Sequence, residues 1–257
     1  MKLRGYVALV FMCSAFLVCD LIQRTVITLS VKLRPSKRIA VLGAWINAMA
    51  TLVMGSVGKI GGASLPDPQR VVRSGPGVLI VMNHQSVLDI PLVVKTVEAG
   101  YPRIVTRARY HRFIPLISHM VRLYQYPVVD PSANARDLIA SLRSLEREAA
   151  ASDVPIAIFP EGTRSRDGEI GRFKKRGLDR ILAARDWTVH VFVADGFWRT
   201  AKLKDFLGGM AHVDGRMAYL GSVEWTDPTA DAEPFIESLR ETMVRGLREL
   251  RGEGVEA

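Results

Sequence analysis

Two short stretches of the chain combine residue types that can do chemistry. The first, Asn83-His84-Gln85-Ser86-Val87-Leu88-Asp89, sets an imidazole and a carboxylate five residues apart. An aspartate that accepts a hydrogen bond from one imidazole nitrogen fixes the tautomer and makes the other nitrogen a better proton acceptor. That is the arrangement of a general base acting on a hydroxyl. Residues five apart on one regular helix stand about 140° from each other around the axis, so a His84–Asp89 contact requires His84 to lie in a turn ahead of the helix. Taken alone, a His-x4-Asp pair is more often a loop histidine near a solvated acid.

The second stretch, Phe159-Pro160-Glu161-Gly162-Thr163-Arg164-Ser165, places a carboxylate, a glycine, a hydroxyl and a guanidinium within four residues. Gly162 lets backbone approach a ligand, Thr163 and backbone N–H groups can donate, and Arg164 can grip a phosphate with two nitrogens. Such a turn can hold a polyol phosphate; its plain alternative is a charged β-turn. No metal is expected, because no second His or Cys follows at ligand spacing and Glu161 and Asp130 are the only carboxylates to add. The chain has no G-x-S-x-G elbow, and Cys13 and Cys19 form no disulfide framework.

The elements that must position these residues are legible on either side. Both stretches follow short apolar runs, VLIVM at 78–82 and Ile156–Phe159, of the kind buried in a parallel sheet. Further strand candidates are Ile104–Thr106, Tyr126–Val129, Val189–Val193 and Met217–Leu220. Helical spacing marks Ala135–Ala150, Leu178–Ala184 and Ala232–Leu250. The pattern predicts an α/β fold: a central mixed, largely parallel sheet flanked by helices, with ligands gathering beyond the carboxyl ends of its strands.

The front of the chain differs in kind. Of the formal net charge of +9, residues 1–60 hold +7, from eight Lys/Arg against the single acid Asp20. The remainder is nearly neutral, which disfavours nucleic acid as a partner, because a phosphate-backbone binder needs its basic stripe on the folded domain. Gly5–Cys19 and Ile39–Gly58 are uncharged, and Arg24, Lys32, Arg34, Lys37 and Arg38 connect them. The first stretch is short for a membrane span of about 20 residues. A hydrophobic helical hairpin over 1–60, with its basic connector at anionic headgroups, is therefore expected ahead of an α/β domain at 61–257. A signal peptide is the competing reading, but the residues before Cys19 make a poor cleavage site.

Together the two stretches resemble a known family, the glycerolipid acyltransferases typified by 1-acylglycerol-3-phosphate acyltransferase. Asn83-His84 with Asp89 is similar to that family's NHxxxxD motif and Phe159–Ser165 to its FPEGTRS motif. Phe173-Lys174-Lys175-Arg176-Gly177 is similar to its FKxG segment with one residue added. The resemblance spans roughly residues 61–225. It implies that His84 deprotonates a lysolipid hydroxyl, that Asp89 orients it, and that Glu161, Gly162, Thr163 and Arg164 position the acceptor's polar head. Acyl-CoA or acyl carrier protein would be the co-substrate, with no cofactor, on the cytoplasmic face of the inner or plasma membrane.

Two departures bear on the acceptor. Where the family has an arginine near the phosphate, this chain reads Tyr126-Pro127-Val128-Val129-Asp130-Pro131, and Arg136 is the nearest later arginine. The segment Val189-His190-Val191-Phe192-Val193-Ala194 lacks the family's proline. Besides 1-acylglycerol-3-phosphate, a lysophospholipid or lyso-ornithine lipid acceptor stays open, as does a non-catalytic lipid-binding relative. His111, His119, His190 and His212 lack a paired acid and are expected to be surface or packing residues. Arg103, Arg107, Arg109 and Arg112 are expected to form a solvated face, the alternative being a basic cluster that faces lipid headgroups or an acidic carrier protein.

Overall fold

The computed structural model of the chain describes residues 2–200 and 210–253. The front comprises α1 (Lys2–Ile22), α2 (Thr28–Leu33) and α3 (Arg38–Gly55). The body then runs β1 (Val78–Met82), α4 (Asp89–Lys95), β2 (Arg103–Ile104), β3 (Thr106–Arg107), α5 (Ile117–Leu123), β4 (Val128–Val129) and α6 (Ala135–Ala150). It closes with β5 (Ile156–Ile158), α7 (Lys175–Leu182), β6 (Trp187–Asp195), β7 (Arg216–Trp225) and α8 (Glu233–Arg251).

The sheet has the order β2-β5-β1-β6-β7. The β1–β5, β1–β6 and β2–β5 pairings are parallel, and only β6–β7 is antiparallel. The architecture is thus the expected mixed, largely parallel sheet. Central strands buried on both faces need apolar residues at every position, which is why β1 and β5 are uninterrupted apolar runs. Strand alternation sends Ile80 and Met82 of β1 to one face and Leu79 and Val81 to the other. On the first face they join Leu42 of α3, Leu92 of α4 and Val121 of α5. On the second they join Leu145 of α6, Leu178 of α7 and Met243 of α8. The sheet is covered by helices on both sides.

The chain over 103–107 changes partners midway. Val105 donates its N–H to Ala157 of β5's line, and the next residue, Thr106, donates to Pro127. β3 then pairs with β4 in parallel, with Arg107 opposite Val129. This brings Arg107 alongside the carboxyl end of β5.

The N-terminal hairpin is longer than its uncharged stretches suggest. α1 continues through a π-helical turn at Gln23–Ile27 into α2, giving one helical run of 31 residues, Leu3–Leu33. The acid that interrupts it is satisfied: Asp20 Oδ2 accepts from Arg24 Nε at 2.8 Å, and Oδ1 accepts from the backbone N–H of Leu116 at 2.8 Å. A second run covers Pro35–Ile60, and both are long and apolar enough to cross a membrane by length and composition. Arg4 donates to the carbonyls of Ile60 and Lys59, so the two runs lie antiparallel. On the first run Gly5, Ala8, Cys19 and Gln23 are buried at helical spacing, while Leu3, Val10, Leu17, Leu21, Val26 and Leu29 of the opposite face are exposed. On the second, Gly43 lies so close to Gly100 that a Cβ there would meet its backbone at 2.6–2.8 Å. Tyr124 Oη also donates to the carbonyl of Leu42 at 2.8 Å. The hairpin lies against the body along much of its length.

Candidate active site

The carboxyl end of β1 delivers Asn83 and His84 into a turn, and α4 begins at Asp89. That is the geometry the five-residue spacing demanded. His84 Nδ1 lies 2.8 Å from Asp89 Oδ2. The same oxygen accepts the backbone N–H groups of Gln85 at 2.6 Å and Ser86 at 2.8 Å. Ser86 precedes the helix by three residues, and its hydroxyl accepts the N–H of Leu88 at 3.4 Å. Asp89 is fully buried and the His84 side chain 18% exposed. An oxygen that already receives two N–H groups is an acceptor toward the ring as well. Nδ1 therefore holds the proton, and Nε2 presents its lone pair on the open side. The ring rests on Phe159, with centroids 4.3 Å apart and planes 22° from parallel.

The second stretch is stitched to the first through backbone. Glu161 Oε1 accepts the N–H of His84 at 2.9 Å, and Oε2 accepts the N–H of Gly171 at 3.0 Å. Ser165 N–H donates to the carbonyl of His84 at 2.7 Å. Both Glu161 oxygens are thus engaged with backbone, and the residue is 4% exposed. Burial pushes its carboxyl above the ordinary value, and the two N–H donors offset part of that shift. Gly162 has φ +62°, a left-handed conformation that favours glycine, and a Cβ there would meet the Lys174 side chain at 2.9 Å. Thr163 is exposed and Arg164 half-buried, and neither side chain makes a hydrogen bond among the described residues. Both are available to a ligand.

Behind the turn, the amide of Asn83 pins β1 to β6, donating to the carbonyl of Ala194 at 2.9 Å and accepting its N–H at 2.8 Å. Buried Gln85 donates to Asp195 Oδ1 at 3.0 Å and to the carbonyl of Gly168 at 2.9 Å, and accepts the N–H of Phe197 at 3.1 Å. Arg251 at the end of α8 then grips both oxygens of Asp195, at 2.9 and 3.1 Å. Neither Asp195 nor Arg251 stood out in the sequence, because a lone acid at a strand end and an arginine in a last helical turn are ordinary residues.

Arg107 is the other residue that local reading passed over. The basic cluster expected to be solvated divides in the structure. Arg103 is buried and paired with Asp153 at 3.0 Å. Arg109 reaches Tyr110 Oη at 2.8 Å. Arg107 donates to the carbonyl of Gly162. Arg107 and Lys174 thus reach the Gly162 turn from two other segments and Arg164 lies within the turn itself, whereas Arg136 is exposed on α6. Its place at the end of a strand candidate was the one available signal. Among the remaining histidines, His119 lies 3.0 Å from Gln23 Nε2 and His190 2.9 Å from Tyr219 Oη. Among the described residues no group of three or more His, Cys, Asp and Glu side chains could hold a metal ion.

The family model described as Acyltransferase matches residues 67–194, which contain both stretches. A 1-acyl-sn-glycerol-3-phosphate acyltransferase of Cocos nucifera is 29% identical over 44% of this chain and 35% of its own length. One of Limnanthes douglasii is 24% identical over 66% of this chain and 58% of its own length. The matched region therefore spans between a third and three fifths of these relatives. A solved structure, the 1-acyl-sn-glycerophosphate (LPA) acyltransferase PlsC from Thermotoga maritima, shares the fold with a TM-score of 0.56 at 19% identity, covering 92% of this chain and all of that one. With the family model matched across both stretches, and a histidine and its buried aspartate at one strand end tied through Glu161 to the Gly162 turn at the next, this chain belongs to the acyltransferase family.

Proposed function

We propose that the chain moves a fatty acyl group from acyl-CoA or acyl carrier protein to the free hydroxyl of 1-acylglycerol-3-phosphate, giving phosphatidic acid. The observation that carries this reading is the His84–Asp89 pair joined to the Gly162 turn by Glu161. In this mechanism Nε2 of His84 takes the proton of the acceptor hydroxyl as its oxygen attacks the thioester carbonyl. The C–S bond then breaks, and the thiolate leaves with the proton returned from the imidazolium. Asp89 stabilises that imidazolium, and general-base catalysis of this kind is worth roughly 10²–10⁴-fold.

Arg107, Arg164 and Lys174 would receive the acceptor's phosphate, with Gly162 and Thr163 lining the same cradle. In this reading they supply the charge that the arginine missing from Tyr126–Pro131 would have given. Glu161, whose oxygens face backbone, acts as a positioning residue. Residues 1–60 would seat the enzyme in one leaflet on the cytoplasmic face of the inner or plasma membrane. Support comes from the buried stripe and exposed apolar face of the first helical run, a pattern suited to a helix lying between protein and lipid. Residues 61–257 would be the catalytic domain.

The test is transfer by the full chain in phosphatidylcholine vesicles, using labelled acyl-CoA and acyl carrier protein against a panel of lysolipids. Loss of transfer in a folded His84→Ala variant supports the reading, and near wild-type transfer by that variant would sink it. The arginine missing from Tyr126–Pro131 favours a second reading, an acceptor without a terminal phosphate monoester. A preference for a lysophospholipid or lyso-ornithine lipid in the same panel would establish it. No turnover with any acceptor or donor would leave a lipid-binding relative.

A further inference from the structure

The segment between Arg107 and α5 has features that the acyl-transfer site does not use. Arg112, Phe113, Ile114 and Pro115 are four consecutive exposed residues, and Phe113 is 97% exposed. Phe113 and Leu116 both have left-handed backbone, with φ +66° and +62°. Non-glycine residues adopt that conformation at a cost in strain, and structures keep such strain where the surroundings enforce it. Here the enforcing contacts come from the hairpin. Leu116, 1% exposed, donates its N–H to Asp20 at 2.8 Å, and its carbonyl accepts from Gln23 Nε2 at 3.2 Å. Ser118 Oγ holds the N–H of Ile114 at 2.9 Å. A fixed loop that presents a fully exposed phenyl ring to water gains nothing in a soluble protein.

Its charge points to the occupant. From Ala99 to Val129 the sequence has five arginines and no acid, and Arg109 and Arg112 beside the tip are exposed. The loop is anchored on the hairpin beside exposed apolar residues: Leu17 and Leu21, exposed by 61% and 64%, lie within one helical turn of Asp20, which holds Leu116. We propose that the Arg112–Pro115 loop is a wedge for an anionic lipid surface, with Phe113 and Ile114 entering the acyl boundary and Arg109 and Arg112 at the headgroups. Arg107, which touches Gly162, lies five residues ahead of Arg112, so in this proposal the wedge places the acceptor cradle near the bilayer. An acceptor lipid then passes from the leaflet to the base without crossing water. The inference rests on the hairpin being membrane-seated.

The experiment uses full-length protein with Cys13→Ala and Cys19→Ala, labelled with an environment-sensitive fluorophore at one introduced cysteine. The three sites are Phe113→Cys, Val26→Cys on the hairpin and Ile139→Cys on α6. Vesicles of phosphatidylcholine and phosphatidylglycerol carry brominated acyl chains as quencher. Quenching at 26 and 113 but not at 139 is the expected result. Quenching at 26 alone overturns the wedge and leaves the seated hairpin intact. Quenching at none overturns both, and quenching at all three overturns the wedge by showing unselective adsorption. A kinetic arm covers entry of the acceptor: Phe113→Asp should raise KM for a long-chain vesicle-borne lysolipid by about tenfold or more, the scale of withdrawing one phenyl ring from an apolar phase. The kcat value should be unchanged and Phe113→Trp should restore KM. An unchanged KM in Phe113→Asp overturns the entry role.

Discussion

Arg251, at the last turn of the closing helix, holds Asp195 at the end of β6 through two nitrogens, and Asp195 in turn holds the side chain of the residue next to His84. Burial pushes the Asp195 carboxyl up, but the hydrogen bonds from Arg251 and Gln85 outweigh it and hold the group below its ordinary value. A depressed carboxyl contributes stability above its unfolded value, about 3.9, and loses it as pH falls through the folded value. Asp195→Asn should therefore lower stability near pH 7 by about 1–3 kcal/mol, the scale of a charged hydrogen bond. The gap to wild type should narrow below about pH 3.9. Denaturant midpoints of both proteins across pH 2–7, a range chosen to bracket roughly the carboxylate values, check this.

In the proposed mechanism Asp89 acts through the proton it keeps on Nδ1. Asp89→Asn keeps a carbonyl oxygen able to accept the same three N–H groups but removes the negative charge facing the ring, so the imidazolium formed in the reaction loses its anionic partner. The expected fall in kcat is roughly 10²–10⁴-fold with little change in KM. Steady-state kinetics at saturating donor measure it, and a variant within a few-fold of wild type would contradict the assignment.

Glu161 makes a different demand, since both oxygens must accept. Glu161→Gln keeps one acceptor and turns an NH2 group toward a backbone N–H, so either His84 or Gly171 loses its anchor. Displacing a base by about 1 Å can cost up to roughly 100-fold in rate. We expect kcat to fall by about tenfold or more while the pH profile keeps its shape, because the base itself is unchanged. A shifted profile would instead make Glu161 a participant in proton transfer.

Arg107 should discriminate among acceptors. Arg107→Ala should raise KM for 1-acylglycerol-3-phosphate by about tenfold, the scale of one charge-assisted hydrogen bond, and Arg107→Lys should recover part of it. Acceptors without a phosphate monoester should be affected less, and equal losses on all acceptors would assign Arg107 to holding the turn alone.

Gly162→Ala tests that turn directly. The left-handed backbone costs an L-residue roughly 1–2 kcal/mol, and the new methyl group would displace Lys174. A fall in Tm of roughly 2–4 °C per kcal/mol is expected, with KM for phosphate-bearing acceptors raised. Thermal unfolding followed by acceptor titration would check both.

Much of this molecule was legible in the linear chain because it depends on local properties. Uninterrupted apolar runs mark strands buried on both faces, and helical spacing predicts Ala135–Ala150 at the bounds where α6 lies. A five-residue His–Asp interval admits contact only across a turn, and His84 and Asp89 meet across one. What the order of residues left open are contacts between segments far apart. Glu161 meets His84 across 77 positions, Arg107 meets Gly162 across 55, and Arg251 meets Asp195 across 56. Asp20, an interruption in the apolar stretch, is matched by a backbone N–H 96 residues away. Such partnerships are set by strand order, register and the docking of helices on the sheet, and a side chain leaves no local trace of which distant group will fill its hydrogen-bonding capacity.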